Sequence, residues 1–249
     1  ASGHFEPGYV AGGSAGSISV HATTPIFDGS IVADVVAGDR QRALAGSPNL
    51  ATSDQIPTGG SLSIVIVNPG NNSPSPNNIV LEPQADAGAD PYGLIAGNFT
   101  FASASSWTPI LANNEFPIFS DILTSVSLNS ISITGANQLR MAQDATLSVR
   151  PGGSVTFDGV TTIDGTLNAP SGSISLTGFK YASGFPQVPP TPAVVIGPDA
   201  VLNVRGLFVN DTGLTRDGEQ GPAFINGGSV SIATIAASAI PPQESSNSP

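Results

Sequence analysis

At 249 residues the chain is long enough to bury a core of its own, as one all-β domain or two small ones. Only 10% of residues are charged and 6% aromatic, so that core must be built mainly from Val, Ile, Leu and Ala. A formal net charge of −11 argues against nucleic acid and against an anionic membrane surface, and the absence of cysteine removes disulfides, thiolate metal sites and cysteine nucleophiles.

The first residues, Ala1 to Phe5, carry no basic or apolar run of the kind a signal peptide shows, and the expectation is an excised piece of a longer protein. The first strand signal is Gly16-Ser17-Ile18-Ser19-Val20, in which large apolar residues alternate with small hydroxyl residues after a turn glycine. An Asp-Gly turn inside apolar alternation follows at Ile26 to Ala33. Ala33 to Leu50 is the nearest approach to an amphipathic helix, and it breaks at Gly46 and Pro48. The strand phrase returns at Gly60-Ser61-Leu62-Ser63-Ile64.

Residues 68–93 are dense in Pro, Asn, Asp and Gly around a strand-like Ile79-Val80-Leu81, and 102–121 hold Trp107, Phe116 and Phe119 beside Pro109 and Pro117. Both are predicted excursions from regular structure. Asp144-Ala145-Thr146-Leu147-Ser148-Val149-Arg150 opens a second phrase, matched by Asp199-Ala200-Val201-Leu202-Asn203-Val204-Arg205. Between them lie the strand phrases Gly153-Ser154-Val155-Thr156-Phe157 and Gly172-Ser173-Ile174-Ser175-Leu176, separated by the Asp-Gly unit Ile163 to Ala169. A proline-rich excursion at 183–193, a fifth strand phrase at Gly228-Ser229-Val230-Ser231-Ile232 and a tail at 241–249 complete the chain.

Gly153 and Gly172 are 19 residues apart, and strands this short recurring near 20 suit a solenoid in which each turn of chain is one coil. The expectation is a right-handed parallel β-helix over 1–240, with an antiparallel sandwich or jelly roll as the competing architecture.

The stretch Ile196 to Asp211, completed by Asn226-Gly227-Gly228-Ser229-Val230-Ser231-Ile232, resembles the repetitive shaft of filamentous-haemagglutinin-type exoproteins, the secreted passengers of bacterial two-partner secretion. The likeness extends over 10–67 and 125–235. It implies a secreted or cell-surface structural shaft that is not an enzyme, exported through an outer-membrane transporter. A host or neighbouring-cell receptor or glycan is a further expected partner, and the exposed strand edges of an uncapped solenoid allow end-to-end self-association. The acidic charge argues against nucleic acid, and the lack of any window near 18 continuous apolar residues argues against membrane insertion by a helix. The Asn-Pro-Asn motifs of that family's secretion domain are not matched by Ser47-Pro48-Asn49-Leu50, so the piece is expected to be internal.

Chemistry-bearing residues are sparse. His4 and His21 are the only histidines, too few for a metal site or a Ser-His-Asp triad. Asp158 and Asp164, with Asp28 in a comparable turn, are the carboxylates a β-helical polysaccharide hydrolase would use, although Asp-Gly is an ordinary turn dipeptide. A lyase would need a base, but Lys180 is the only lysine, and Arg150 and Arg205 end matching phrases as equivalent outward positions. Glu82, Asp86 and Asp90 are the candidates to gather a cation, and Tyr92, Trp107, Phe116 and Phe119 to stack on sugar or to pack against the coil. No catalytic, metal or cofactor residue is assigned.

Overall fold

The computed structural model describes residues 11–22, 25, 31–38, 41, 55–66, 78–84, 115–124, 128–136, 138–181, 194–207 and 226–237. Among them the chain is all-β, and every strand pair is parallel. Parallel pairing removes the antiparallel sandwich and jelly roll.

Sheet I runs, in spatial order, through β1 (Ser17–Ala22), β2 (Ser61–Ile66), β5 (Ser130–Thr134), β8 (Ser154–Asp158), β11 (Ser173–Tyr181) and β14 (Ser229–Ala237). Sheet II runs through β4 (Glu115–Phe119), β3 (Asn78–Glu82), β6 (Gln138–Met141), β9 (Val160–Ile163) and β12 (Val195–Ile196). Sheet III holds β7 (Thr146–Ser148), β10 (Thr166–Asn168) and β13 (Val201–Asn203). From β5 onward the chain visits sheets I, II and III in turn and then returns to sheet I, one strand further along.

The period-2 pattern sets the register. Ser17, Ser61, Ser130, Ser154, Ser173 and Ser229 are partners in succession, so the five glycine-led phrases stack residue upon residue. The column next to them, Leu62, Ile131, Val155 and Ile174, points inward and is dry, as is the column of Ile64, Ile133, Phe157 and Leu176. Leu81, Met141 and Ile163 from sheet II and Leu147 and Leu167 from sheet III close the same core. Each such side chain, fully buried, contributes about 1.5–3 kcal/mol relative to exposure, which is how a chain with so few aromatic residues sustains a core.

Corners between sheets carry the backbone irregularities. Gly159 turns from β8 into β9 with φ 87°, and a Cβ there would overlap the Ala136 carbonyl of the preceding circuit. The corner between sheets II and III is a hydrogen-bonded turn at 142–145 and again at 197–200, where Ala145 N–H donates to Ala142 O (3.1 Å) and Ala200 N–H to Gly197 O (3.3 Å). In the circuit between them the corner is only Asp164-Gly165, two residues shorter.

Several elements depart from the sequence expectations. A sixth copy of the strand phrase, Ser130-Ile131-Ser132-Ile133, is led by Asn129 instead of glycine. There the N–H groups of Asn129 and Ser130 converge on the Gly60 carbonyl (2.7 and 3.4 Å). Ile79-Val80-Leu81 is no excursion: it is an inner strand, with β4 on one side and β6 on the other. Part of the second excursion is likewise ordered as β4, which follows β3 in sequence yet lies on its far side from β6. The described part of Ala33–Leu50, residues 33–38 and 41, is not helical, in keeping with a sequence that offers no convincing amphipathic helix. The one described helix is α1 (Ser120–Thr124), which carries buried Leu123 into the core.

α1 stands where sheet III would otherwise begin, beside β7. The Thr124 hydroxyl substitutes for a neighbouring strand, because it donates to Thr146 O (2.8 Å) and accepts from Ser148 N–H (3.1 Å). Thr124→Val keeps the shape and removes both bonds. A loss of about 1–2 kcal/mol is expected in urea denaturation, from the net hydrogen-bond contribution and the two edge groups left unpaired. Thr124→Ser, which keeps the hydroxyl, is expected to retain most of that stability.

Candidate functional site

The strand register settles where the described candidate residues lie. His21 is at the end of β1, exposed, with its Nε2 3.1 Å from Ser19 Oγ. Asp158 lies near the same end of sheet I, but on β8, three strands away. At about 4.8 Å per strand, that separation is roughly 14 Å, too far for the imidazole and carboxylate to act on one proton. Asp158 and Asp164 stand at opposite ends of β9, whose four residues span about 13 Å at ~3.3 Å each. The two carboxylates of a glycosidase stand about 5–9.5 Å apart on opposite sides of one bond, and this arrangement places a whole strand between them.

Asp164 instead serves its corner. Its Oδ1 fills the space over Gly197, where a Cβ would collide with it, and its backbone N–H donates to Met141 O at 3.1 Å. Because the Asp164-Gly165 corner is short, the longer turns above and below it meet directly. Gln143 Nε2 donates to Asp199 Oδ2 at 2.9 Å, bridging two circuits and 56 residues of sequence. Asp144, Asp164 and Asp199 each precede a strand of sheet III by two residues, so the two phrases and the Asp-Gly unit recognised separately in the sequence are one sheet.

Sheet III carries a polar ladder on its outer face. Asn203 Nδ2 donates to Asn168 Oδ1 (3.0 Å), and Asn168 Nδ2 donates to Ser148 Oγ (3.2 Å). Arg150 and Arg205 follow that ladder at equivalent positions two circuits apart, as their matching phrases imply. Sheet I presents a second ladder: Ser130 and Ser154 Oγ atoms lie 3.0 Å apart within the serine column. Both ladders satisfy outward polar groups between circuits, and no buried side-chain polar atom among the described residues lacks a partner. The Asn168–Asn203 bond has a sequence signal in Leu-Asn at 167–168 and again at 202–203.

The remaining candidates divide by burial. Phe116 and Phe119 are 5% and 1% exposed on β4, so they pack in the interior and offer no stacking face to a sugar. Glu82 ends β3, opposite Phe119 in register. Lys180 lies on β11 opposite Ala236. His4, Asp28, Asp86, Asp90, Tyr92 and Trp107 lie outside the described residues. Among the described residues, no group of three or more His, Asp or Glu converges to hold a metal ion, and no helix is long and apolar enough to cross a membrane.

No protein-family model, curated protein or solved structure matches the chain. Its described residues arrange their polar groups into ladders and corner contacts that bind one circuit to the next.

Proposed function

We propose that this chain is a length of right-handed parallel β-helix forming part of the shaft of a secreted bacterial surface protein of the filamentous-haemagglutinin type, with a mechanical and not an enzymatic role. The observation that carries this reading is the unbroken register of sheet I, six strands deep with serine upon serine outside and dry aliphatic columns inside. Such stacking lengthens by about 4.8 Å per circuit and has no inherent limit. Five spacings give about 24 Å of shaft from β1 to β14. The right-handed sense follows from strand twist, which favours right-handed returns between parallel strands of one sheet.

Stiffness follows from the same contacts. Bending the shaft would separate neighbouring strands and break ladder bonds on the outer side of the bend, among them Ser173 N–H to Gly153 O and Ser229 N–H to Gly172 O, both 2.9 Å. A rod of this kind projects whatever it carries away from the cell. Adhesive contact to a receptor or glycan falls to loop segments outside these columns, since Ile79 and Leu81 within 68–93 and Phe116 and Ile118 within 102–121 are buried. Secretion through an outer-membrane transporter rests on the family resemblance.

Immunogold electron microscopy with antibodies raised against this chain tests the reading on intact producing cells. Gold is expected outside the outer membrane, displaced along thin projections. Labelling confined to the cytoplasm would sink it.

A further inference from the structure

The outer face of sheet III is bordered by opposite charges. Along the β7 circuit the period-2 pattern turns Ala145, Leu147 and Val149 into the core, so Asp144, Thr146, Ser148 and Arg150 share the outer side. Asp144, Asp164 and Asp199 stand two residues before β7, β10 and β13, and Arg150, Pro170 and Arg205 stand two residues after them. The order β7-β10-β13 stacks these positions into an acidic margin and a basic margin, both running along the shaft axis. The two arginines are two circuits apart, about 9.6 Å.

Asp144, Asp199 and Arg205 are exposed and Arg150 is half-buried. Asp199 accepts from Gln143 Nε2, a neutral donor, and so keeps its charge. The middle circuit differs: Asp164 is engaged over Gly197 and Pro170 replaces the arginine. Between the margins the outward side chains of the three strands are Thr, Ser, Asn and Val, all short enough for a flat face to approach closely.

We propose that two copies of this chain pack side by side through the outer faces of sheet III, about a two-fold axis parallel to the shaft. The occupant is a second copy because the charge pattern is its own complement. That axis keeps each circuit at its own level and exchanges the two margins. Asp144 then faces Arg150 of the second copy, Asp199 faces Arg205, Asp164 meets only Pro170, and each pairing occurs twice. A two-fold axis along the strands would set aspartate on aspartate, so charge selects the arrangement in which both shafts point the same way. No strand edge takes part, so the contact is the same however far the polypeptide continues beyond these circuits. Three strands at about 4.8 Å by seven residues at about 3.3 Å give a face of roughly 330 Å² per copy. A stable dimer buries about 800 Å² per partner, so this contact is weak and reversible, and copies held on one surface strengthen it by effective concentration. It goes beyond the shaft reading and rests on it only for the common direction of the copies.

Sedimentation equilibrium of the whole chain, from micromolar towards millimolar concentration, tests the proposal. At about 0.15 M salt the Debye length of about 8 Å screens the net charge of −11 on each copy and leaves pairs in contact their attraction. The parent is expected to rise towards two-copy mass and stop there, because a two-fold contact closes on itself. Arg150→Asp with Arg205→Asp in one variant, and Asp144→Arg with Asp199→Arg in another, are each expected to lower the association constant about tenfold or more. Their equimolar mixture is expected to regain the parent value, since acidic margins again face basic ones, and a misfolded variant could not give that recovery. Arg150→Ser with Arg205→Ser removes the charge without reversing it and is expected to fall between parent and reversed variants. A parent that stays at single-chain mass overturns the proposal and leaves the shaft reading to its labelling test. Reversed variants that associate as the parent does, a mixture without recovery, or masses beyond two copies overturn it as well.

Discussion

Gly172→Ala is expected to destabilise the protein by about 3 kcal/mol or more, the upper end of what one added methyl group does by overpacking. The new Cβ would sit 1.9 Å from the Gly153 carbonyl oxygen, 2.9 Å from its carbon and 3.0 Å from its nitrogen. All three are backbone atoms, so no rotamer change relieves the overlap. Strands β8 and β11 would have to part by more than 1 Å at this corner, and the Ser173 N–H to Gly153 O bond would stretch with them. The strain would also pass to β14, because Gly228 packs on Gly172 by the same geometry. Gly16→Ala is the matched control, since the same change is made in the same phrase with open space around it. It is expected to be neutral, or to stabilise by about 0.4–1 kcal/mol through the unfolded chain. Urea midpoints of the two variants measure the difference, and equal midpoints would show that glycine is not dictated by the neighbouring circuit.

That pair of residues also shows what was legible in the sequence. Glycine, serine and alternating aliphatic residues announced strands, and the return of the phrase 19 residues on, from Gly153 to Gly172, announced parallel stacking. The Ser17-to-Ser229 register is what those repeats imply. Asn129 was missed because recognition leaned on the leading glycine, and this corner dispenses with it by directing two N–H groups to one carbonyl. The unity of sheet III was missed for a different reason. The Asp-Gly unit at 163–169 reads as a turn like Asp28-Gly29, although Asp144, Asp164 and Asp199 each stand two residues before their strand. Ile79-Val80-Leu81 read as strand-like within its excursion, whereas β4 was hidden by the prolines at 109 and 117. Pairing between β3 and the later β4, with β6 on the other side, depends on where the chain returns after a long connection, which no local pattern encodes. The carboxylates were legible as turn residues, and register alone could place Asp158 and Asp164 at opposite ends of a strand.

Phe157→Ala is expected to cost about 3–5 kcal/mol, the range for deleting a buried phenyl group from a core that collapses only in part. Phe157 is fully buried on β8, with Ile133 and Leu176 as its partners in the column above and below. It is the largest side chain of that column, so its removal opens a void between two strand pairs at once. Collapse is restricted because the ladder holds neighbouring strands at a fixed spacing of about 4.8 Å, and closing the void would break bonds on both sides of β8. Phe157→Leu separates volume from chemistry: leucine already fills the equivalent place at Leu176, and the expected loss is below about 1.5 kcal/mol. The damage should also be local in a way a globular core would not show. Each strand of sheet I is bonded only to the strands on either side of it, so amide exchange is expected to quicken most in β5, β8 and β11 and least in β1, three strands away. A uniform rise across all six strands of sheet I would mean the stack melts as a single unit, and would count against stability accumulating circuit by circuit.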